Sequence, residues 1–413
     1  MDLEDTPEQA AFRAECRAWI RANAPHHLLP KLEASSFGKV AFEPEEAMRE
    51  CKAWQKKKAE AGWACLQWPQ EYGGRGASPI ERVIWSQEEG LFSFLSSMFI
   101  IGHGMCGPTL LAYASEEQKR RYLPPMASGE EIWCQLFSEP GAGSDLAGLR
   151  MRAEQDGDEW VVNGQKVWTS GAHYSDYGIL VTRSDFSVAK HKGLTYFFVD
   201  MRSPGIEVRG IRQAAGESGF NEVYFTNVRI PDAQRLGAVG DGWAVSITTL
   251  MNERLAIGGS MPTGWDELFR FARTAQTEDG RAIDDPAVRE QLADWYVRTM
   301  GLRYTNYRTL TALAKGQMPG PESSIGKVVA GNTMQEIASL ALELQDQCGA
   351  LVEHGGPIES KFPRMLMRSL GTRIEGGTDE ILKNIIAERV LQLPGDVRVD
   401  RDVPFKEIPA GKA

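Results

Sequence analysis

Asp158-Glu-Trp-Val-Val-Asn-Gly-Gln-Lys-Val-Trp-Thr-Ser170, "DEWVVNGQKVWTS", lies where the period of the chain changes. β-Branched and aromatic residues flank Asn163-Gly164, a strong signal for a tight hairpin turn. Runs of the same kind follow at short intervals: "YGILVTRS", "GLTYFFVDM", "GIEVRGI" and "NEVYFTNVRI". A sandwich or barrel of short strands is expected between Ile132 and about Arg229.

Outside that block the apolar residues recur at helical spacing. "TPEQAAFRAECRAWIRANAP" opens with Thr6 as cap and Pro7 at the first helical position, carries Phe12, Cys16, Trp19 and Ile20 on one side, and stops before Pro25. Ser115 caps a second helix, "EEQKRRYLPP". After Pro231 the helical runs are long, from "DGWAVSITTLMNERLAIGG" to "TDEILKNIIAERVLQL", and their short links suggest an antiparallel bundle. The expected architecture is α+β and multidomain: an N-terminal α-helical domain over 1–133, a middle β-domain over 134–240, a C-terminal helical bundle over 241–394, and a polar, peripheral tail over 395–413.

At 413 residues with 42% hydrophobic and 25% charged residues, the chain can bury a large core. Its net charge of -10 argues against a nucleic-acid partner, and the one basic run, Lys56-Lys57-Lys58, reads as a solvated helix face. The stretch "MDLEDTPEQAAF" has no apolar core of a signal peptide, and "FLSSMFIIGHGM" is too short and polar to span a bilayer, so a cytoplasmic protein is expected. Six cysteines without a C-x-x-C and six histidines without a ligand pair give no metal site.

At the mouth of the β-domain, "FSEPGAGSD" over 137–145 has the look of a phosphate cradle. A dinucleotide fingerprint fails at Leu146, which stands where the third glycine belongs; "PESSIGKVV" fails as a P-loop at Pro321 and Val328. By itself the loop reads as an ordinary turn.

Taken together, these motifs resemble the acyl-CoA dehydrogenase family of FAD enzymes. The likeness spans nearly the whole chain through "TPEQAAFR", "ASEEQKRRYLPP", "EPGAGSD", "VNGQKVWTSGA", "FNEVYFTNVRIP", "NERLAIG" and "GGTDEILKNIIAERVL", in that order. It implies FAD as cofactor and an acyl-CoA as substrate. The segment from Gln135 to Ser144 would run along the FAD, with Gln135, Phe137, Ser138, Gly143 and Ser144 as contacts and Ser144 also touching the acyl-CoA. Trp168, Thr169 and Ser170 match the W-x-[TS] beside the flavin ring. Thr378, a plausible N-cap, with Asp379 and Glu380 would meet FAD at a helix start, and Gly376 and Gly377 the thioester. Arg273 is the candidate for the arginine that reaches FAD from a neighbouring subunit, although "FARTAQT" differs from the usual R-x-[TS]-F-G. "ELQDQCGALVEHGG" likewise departs from Q-x-x-G-G, leaving open which of Gln345 and Gln347 meets the flavin.

The family's reaction removes an α-proton with a carboxylate while the β-hydrogen leaves as hydride to the flavin. Many members carry that carboxylate in E-G-T; here Gly376 takes its place. Two substitutes remain, Glu375 and Glu253. Glu253 ranks first: it matches the helix position used by isovaleryl- and long-chain-type members, and its helical neighbours Thr249, Leu250, Ala256 and Ile257 include no basic residue. Arg254 aligns with a CoA-contacting arginine. The resemblance implies α,β-dehydrogenation of an acyl-CoA, an electron-transferring flavoprotein as acceptor, and a homodimer, homotetramer or heteromeric assembly. The rivals are a related acyl-CoA or nitroalkane oxidase that uses oxygen, and a non-catalytic partner subunit.

Overall fold

The computed structural model describes residues 5–35, 41–257, 262–315, 317, 320–351, 360–398, 400 and 402–408. Its first part is helical, with α1 (Pro7–Asn23), α2 (Leu29–Ala34), α3 (Pro44–Glu60), α4 (Pro79–Glu88), α5 (Gly107–Tyr113) and α6 (Glu116–Ser128). α1, α4 and α6 each begin with the same capping box, in which Thr6, Ser78 and Ser115 exchange hydrogen bonds with Gln9, Glu81 and Gln118. Within the run Lys56-Lys57-Lys58 on α3, Lys58 is not on a solvated face. It is buried and donates to Ser96 Oγ at 2.6 Å.

Eight strands follow: β1 (Trp133–Leu136), β2 (Arg152–Asp156), β3 (Glu159–Ser170), β4 (Tyr177–Arg183), β5 (Leu194–Asp200), β6 (Ile206–Ile211), β7 (Phe220–Pro231) and β8 (Arg235–Leu236). They run in the order β6-β7-β3-β2-β4-β5-β8, with β1 parallel to β4. The two halves of that path meet at the single pair Arg152–Arg183. Asn163-Gly164 is not the hairpin turn. The turn between β2 and β3 falls at Gly157, where φ is +66°, while Asn163-Gly164 lies inside β3. There the register with β7 shifts, Gly164 takes φ +146°, and Asn163 exchanges hydrogen bonds with Asn227 on β7. The glycine allows a bulge that a side chain would block, since a Cβ would sit 2.9 Å from Met151 Cγ.

β4 and β5 are apolar on both faces because both faces are covered. Ile179, Val181, Tyr196 and Phe198 join a cluster with Trp68, Leu110, Leu123, Trp133 and Val245, whereas Leu180, Phe197 and Val199 face a second core with Trp160, Val162, Val223 and Phe225.

The last part is helical again: α7 (Gly242–Ile257), α8 (Trp265–Ala272), α9 (Pro286–Ala314), α10 (Ser324–Glu343), α11 (Lys361–Thr372) and α12 (Asp379–Ile385). α10 packs against α8, α9, α11 and α12 around Leu268, Met334, Ile337, Phe362 and Met365. Among the described residues no single helix is long and apolar enough to cross a membrane.

By contact density the chain forms two compact units. One comprises Met1–Glu46, Ser78–Phe94 and Gly258–Gly395; the other comprises Ala47–Ala77, Leu95–Ile257 and Asp396–Ala413. α7 thus belongs with the strands. Of the described residues after Gly395, Phe405 is not peripheral: it is 2% exposed and packed within the β-containing unit. Phe405 supplies the apolar part of that docking in an otherwise polar stretch.

Candidate active site

In the β-containing unit, β1 runs into the loop 137–145. Glu139 and Ala142 exchange main-chain hydrogen bonds at 3.0 Å, closing a tight turn. The carboxylate of Glu139 accepts from the main-chain N–H groups of Arg150 and Met151 and from Lys166 Nζ at 2.9 Å. Lys166 is wholly buried and also donates to the Phe137 carbonyl. Burial pushes its pKa down while Glu139 pulls the other way. Neither member of this pair was singled out in the sequence. The available signal was a lysine on the inward face of β3, in step with Trp160 and Val162.

Gly141, Gly143 and Ser144 are exposed, and a Cβ on either glycine would meet no described atom within 4 Å. Packing within the chain therefore does not demand glycine there. The Ser138 carbonyl accepts from Val167 N–H at 2.9 Å, tying the loop to the end of β3. Phe137 is core, in edge contact with Tyr196.

Trp168 has the unusual backbone of this region: φ is +60° and the side chain is 57% exposed, its described ring neighbour being Phe220 in edge contact at 6.0 Å. A bulky residue held in the left-handed region stores strain of about 1–3 kcal/mol. Next to it, Thr169 is buried, yet its Oγ1 has no hydrogen-bond partner among the described residues. Ser170 ends the strand.

α7 places Glu253, half-buried, beside β1, where Gln135 Nε2 donates to its Oε2 at 3.3 Å. One turn earlier, the buried Thr249 hydroxyl shares 2.9 Å hydrogen bonds with Thr109 Oγ1 and with the Tyr196 hydroxyl. Desolvation lifts the Tyr196 phenol well above its usual pKa, and the charge of Glu253 acts in the same direction. The hydroxyl trio is uncharged and fixes the register of the helix that presents Glu253. The side chain of Arg254 lies outside the described residues.

In the helical unit, Gly376 and Gly377 have φ +59° and +98°, a pair of conformations that L side chains rarely adopt. Lys327 donates to the Gly377 carbonyl at 2.6 Å. Thr378 caps α12, its hydroxyl accepting from Ile381 N–H. Glu380 is exposed; Asp379 instead turns inward, buried against Arg373 Nε at 2.7 Å. Glu375 is ion-paired with Arg368. Arg273 is exposed at the C-terminus of α8, and Gln345 and Gln347 flank Asp346, whose φ is +51°. These residues belong to a different unit from Gln135, Ser144, Trp168 and Glu253.

Profiles of the acyl-CoA dehydrogenase N-terminal, middle and C-terminal domains match residues 6–130, 134–228 and 240–391. The chain belongs to the acyl-CoA dehydrogenase family. It is 36% identical over 403 residues to the acyl-CoA dehydrogenase IpdE1 of Mycobacterium tuberculosis, covering 96% of this chain and 100% of that one. Among solved structures it is similar to the ChsE4-ChsE5 complex from Mycobacterium tuberculosis, with TM-score 0.78 and 30% identity, and to the Tcur3481-Tcur3483 steroid ACAD, with TM-score 0.78 and 28% identity. Each likeness covers 96% of this chain and 100% of the other.

An acyl-CoA dehydrogenase oxidises an acyl-CoA thioester, and members of the family bind FAD. The surroundings of β3 fit such a group. The strained, exposed Trp168 offers an aromatic face, Thr169 holds a buried hydroxyl without a partner among the described residues, and Gly141 and Gly143 leave the loop backbone open to close approach.

Proposed function

We propose that Glu253 is the base of this acyl-CoA dehydrogenase and that it takes the α-proton of the bound thioester. The observation that carries the reading is the placement of Glu253 beside β1, where Gln135 donates to its carboxylate. Glu253 stands half-buried on a helix whose register is fixed by Thr109, Thr249 and Tyr196, whereas Glu375 is engaged by Arg368.

Bound FAD supplies the hydride acceptor. The loop residues Gln135, Phe137, Ser138, Gly143 and Ser144, together with Trp168, Thr169 and Ser170, would line its path; the resemblance adds Thr378 and Glu380 as contacts, and Arg273 as the one reaching FAD from a neighbouring subunit. Ser144, Arg254, Gly376 and Gly377 would hold the acyl-CoA. A main-chain N–H at Gly376 that donates to the thioester oxygen would strengthen as negative charge develops on α-proton removal.

Electrons would pass to an electron-transferring flavoprotein. The likeness to the ChsE4-ChsE5 and Tcur3481-Tcur3483 structures supports a heteromeric assembly and a bulky, steroid-derived acyl group. Light scattering of the chain alone and co-expressed with candidate partners tests the assembly. Peroxide release in air without an acceptor would point instead to an oxidase.

The deciding experiment is anaerobic stopped-flow reduction of the flavin by a panel of straight, branched, aromatic and steroid-derived acyl-CoAs. Glu253→Gln is expected to keep flavin and acyl-CoA binding while slowing reduction at least ~100-fold, and Glu375→Gln to cost far less. A Glu253→Gln enzyme reduced at the wild-type rate would remove the assignment.

A further inference from the structure

The segment 396–408 lies beyond the part of the chain that the three domain profiles match, yet its described residues, 396–398, 400 and 402–408, are grouped with the β-containing unit. Phe405 N–H donates to the Val188 carbonyl at 2.8 Å, Lys406 N–H to the Phe186 carbonyl at 2.9 Å, and Pro404 bridges to Ala189, so the segment lies along the connection between β4 and β5. The ring of Phe405 faces two guanidinium groups, Arg183 at 3.5 Å and Arg150 at 4.8 Å.

Arg183 is fully buried and directs its donors at main-chain carbonyls: Nε to Leu149 at 2.9 Å, Nη1 to Lys190 at 3.0 Å and Nη2 to Ala147 at 2.5 Å. Burial brings its pKa down to about 10. A guanidinium desolvated over an aromatic face gains from the ring quadrupole, so Phe405 stabilises the cation that holds Ala147 and Leu149. A second link starts from Asp400. Lys190 Nζ lies 2.5 Å from Asp400 Oδ2 and 2.9 Å from Asp145 Oδ1, so one ammonium joins the segment to the residue next to Ser144.

The two links grip the ends of 145–149. The stretch before it is anchored by Glu139 and the buried Ala142, but Gly141, Gly143 and Ser144 are exposed, so the backbone from Gly143 to Asp145 depends on what holds its far end. We propose that the segment 396–408 positions the Ser144 loop: Asp400 keeps Lys190 on Asp145, and Phe405 keeps Arg183 on the carbonyls of Ala147 and Leu149. Asp400 and Phe405 are positioning residues. The consequence for acyl-CoA binding rests on the assignment of Ser144 to the substrate; the mechanical coupling does not.

Hydrogen exchange on the full-length holoenzyme tests the coupling directly. Phe405→Leu and Asp400→Asn are expected to speed exchange of amides 140–148 about fivefold or more while β3 and β7 keep their protection. Asp400→Asn preserves volume and so stays informative if Phe405→Leu unfolds. In an Asp145→Asn background, Asp400→Asn should add nothing, because both act through Lys190. Unchanged loop exchange, or additive effects in that cycle, would overturn the proposal. With the best acyl-CoA of the panel, Asp400→Asn should raise KM about three- to tenfold at nearly constant kcat. If Ser144→Ala leaves KM unaltered while Asp400→Asn still loosens the loop, the substrate role of Ser144 fails and the coupling stands.

Discussion

Gln135 donates its side-chain amide to the carboxylate of Glu253 across 3.3 Å, joining the first strand to the helix that follows the β-domain. The two residues are 118 positions apart in the chain. The resemblance implies a flavin contact for Gln135; its side chain here orients the proposed base.

Gln135→Leu keeps similar bulk and removes the donor. Flavin content is expected to stay near wild type while the rate of flavin reduction falls about tenfold, because the carboxylate loses one of the hydrogen bonds that orient it. Absorbance of the purified protein and stopped-flow reduction separate the two effects. A variant that loses flavin and keeps its rate per flavin would return Gln135 to cofactor binding alone.

Trp168→Gly removes the penalty of a non-glycine residue at φ +60°. The flavin-free protein should gain stability, by up to about 1 kcal/mol, and the affinity for FAD should drop. Thermal melts of apo- and holoprotein, with an FAD titration, check both signs. A loss of apoprotein stability would mean that the ring has a packing role outweighing the strain.

Breaking the Lys166–Glu139 pair leaves a carboxylate buried under the loop. Lys166→Met should destabilise the protein by about 3–5 kcal/mol, and adding Glu139→Gln should recover part of that loss. Urea denaturation of the two single variants and the double variant measures it. Independent, additive losses would show that the pair does not act as a unit.

Asp232 sits where β7 hands over to β8, accepting from Arg235 and from Trp160 Nε1 at 2.7 Å. Arg235, then Trp160, lowers its pKa from the ordinary 3.8 to about 2. The folded value is below the unfolded one, so the stabilisation is complete above about pH 4 and is lost as pH falls toward 2. Asp232→Asn should cost on the order of 1 kcal/mol at neutral pH, less than the full shift because the pair is partly solvated, and should flatten the acid limb of stability between pH 4 and 2. An acid limb identical to wild type would assign that limb to other carboxylates.

The sequence by itself determined the order of the parts. Caps such as Thr6, Ser115 and Thr378 are local chemistry, and the switch from helical spacing to short β-rich runs is visible without any partner in space. The motifs also carried the family resemblance. What local chemistry could not give was the use made of ambiguous signals. Asn163-Gly164 has the residues of a hairpin turn, but its place inside β3 depends on Met151 and on Asn227 in another strand. Phe405 in a polar stretch has no local reason to be buried; Arg183 and Arg150, far upstream, supply one. The engagement of Glu375 by Arg368, seven residues away, and of Glu253 by Gln135 depends on side-chain direction after folding. Helical spacing fixed which neighbours Glu253 has on its own helix, and only the tertiary structure decided what faces it, because electrostatic surroundings are set by groups brought together from distant parts of the chain.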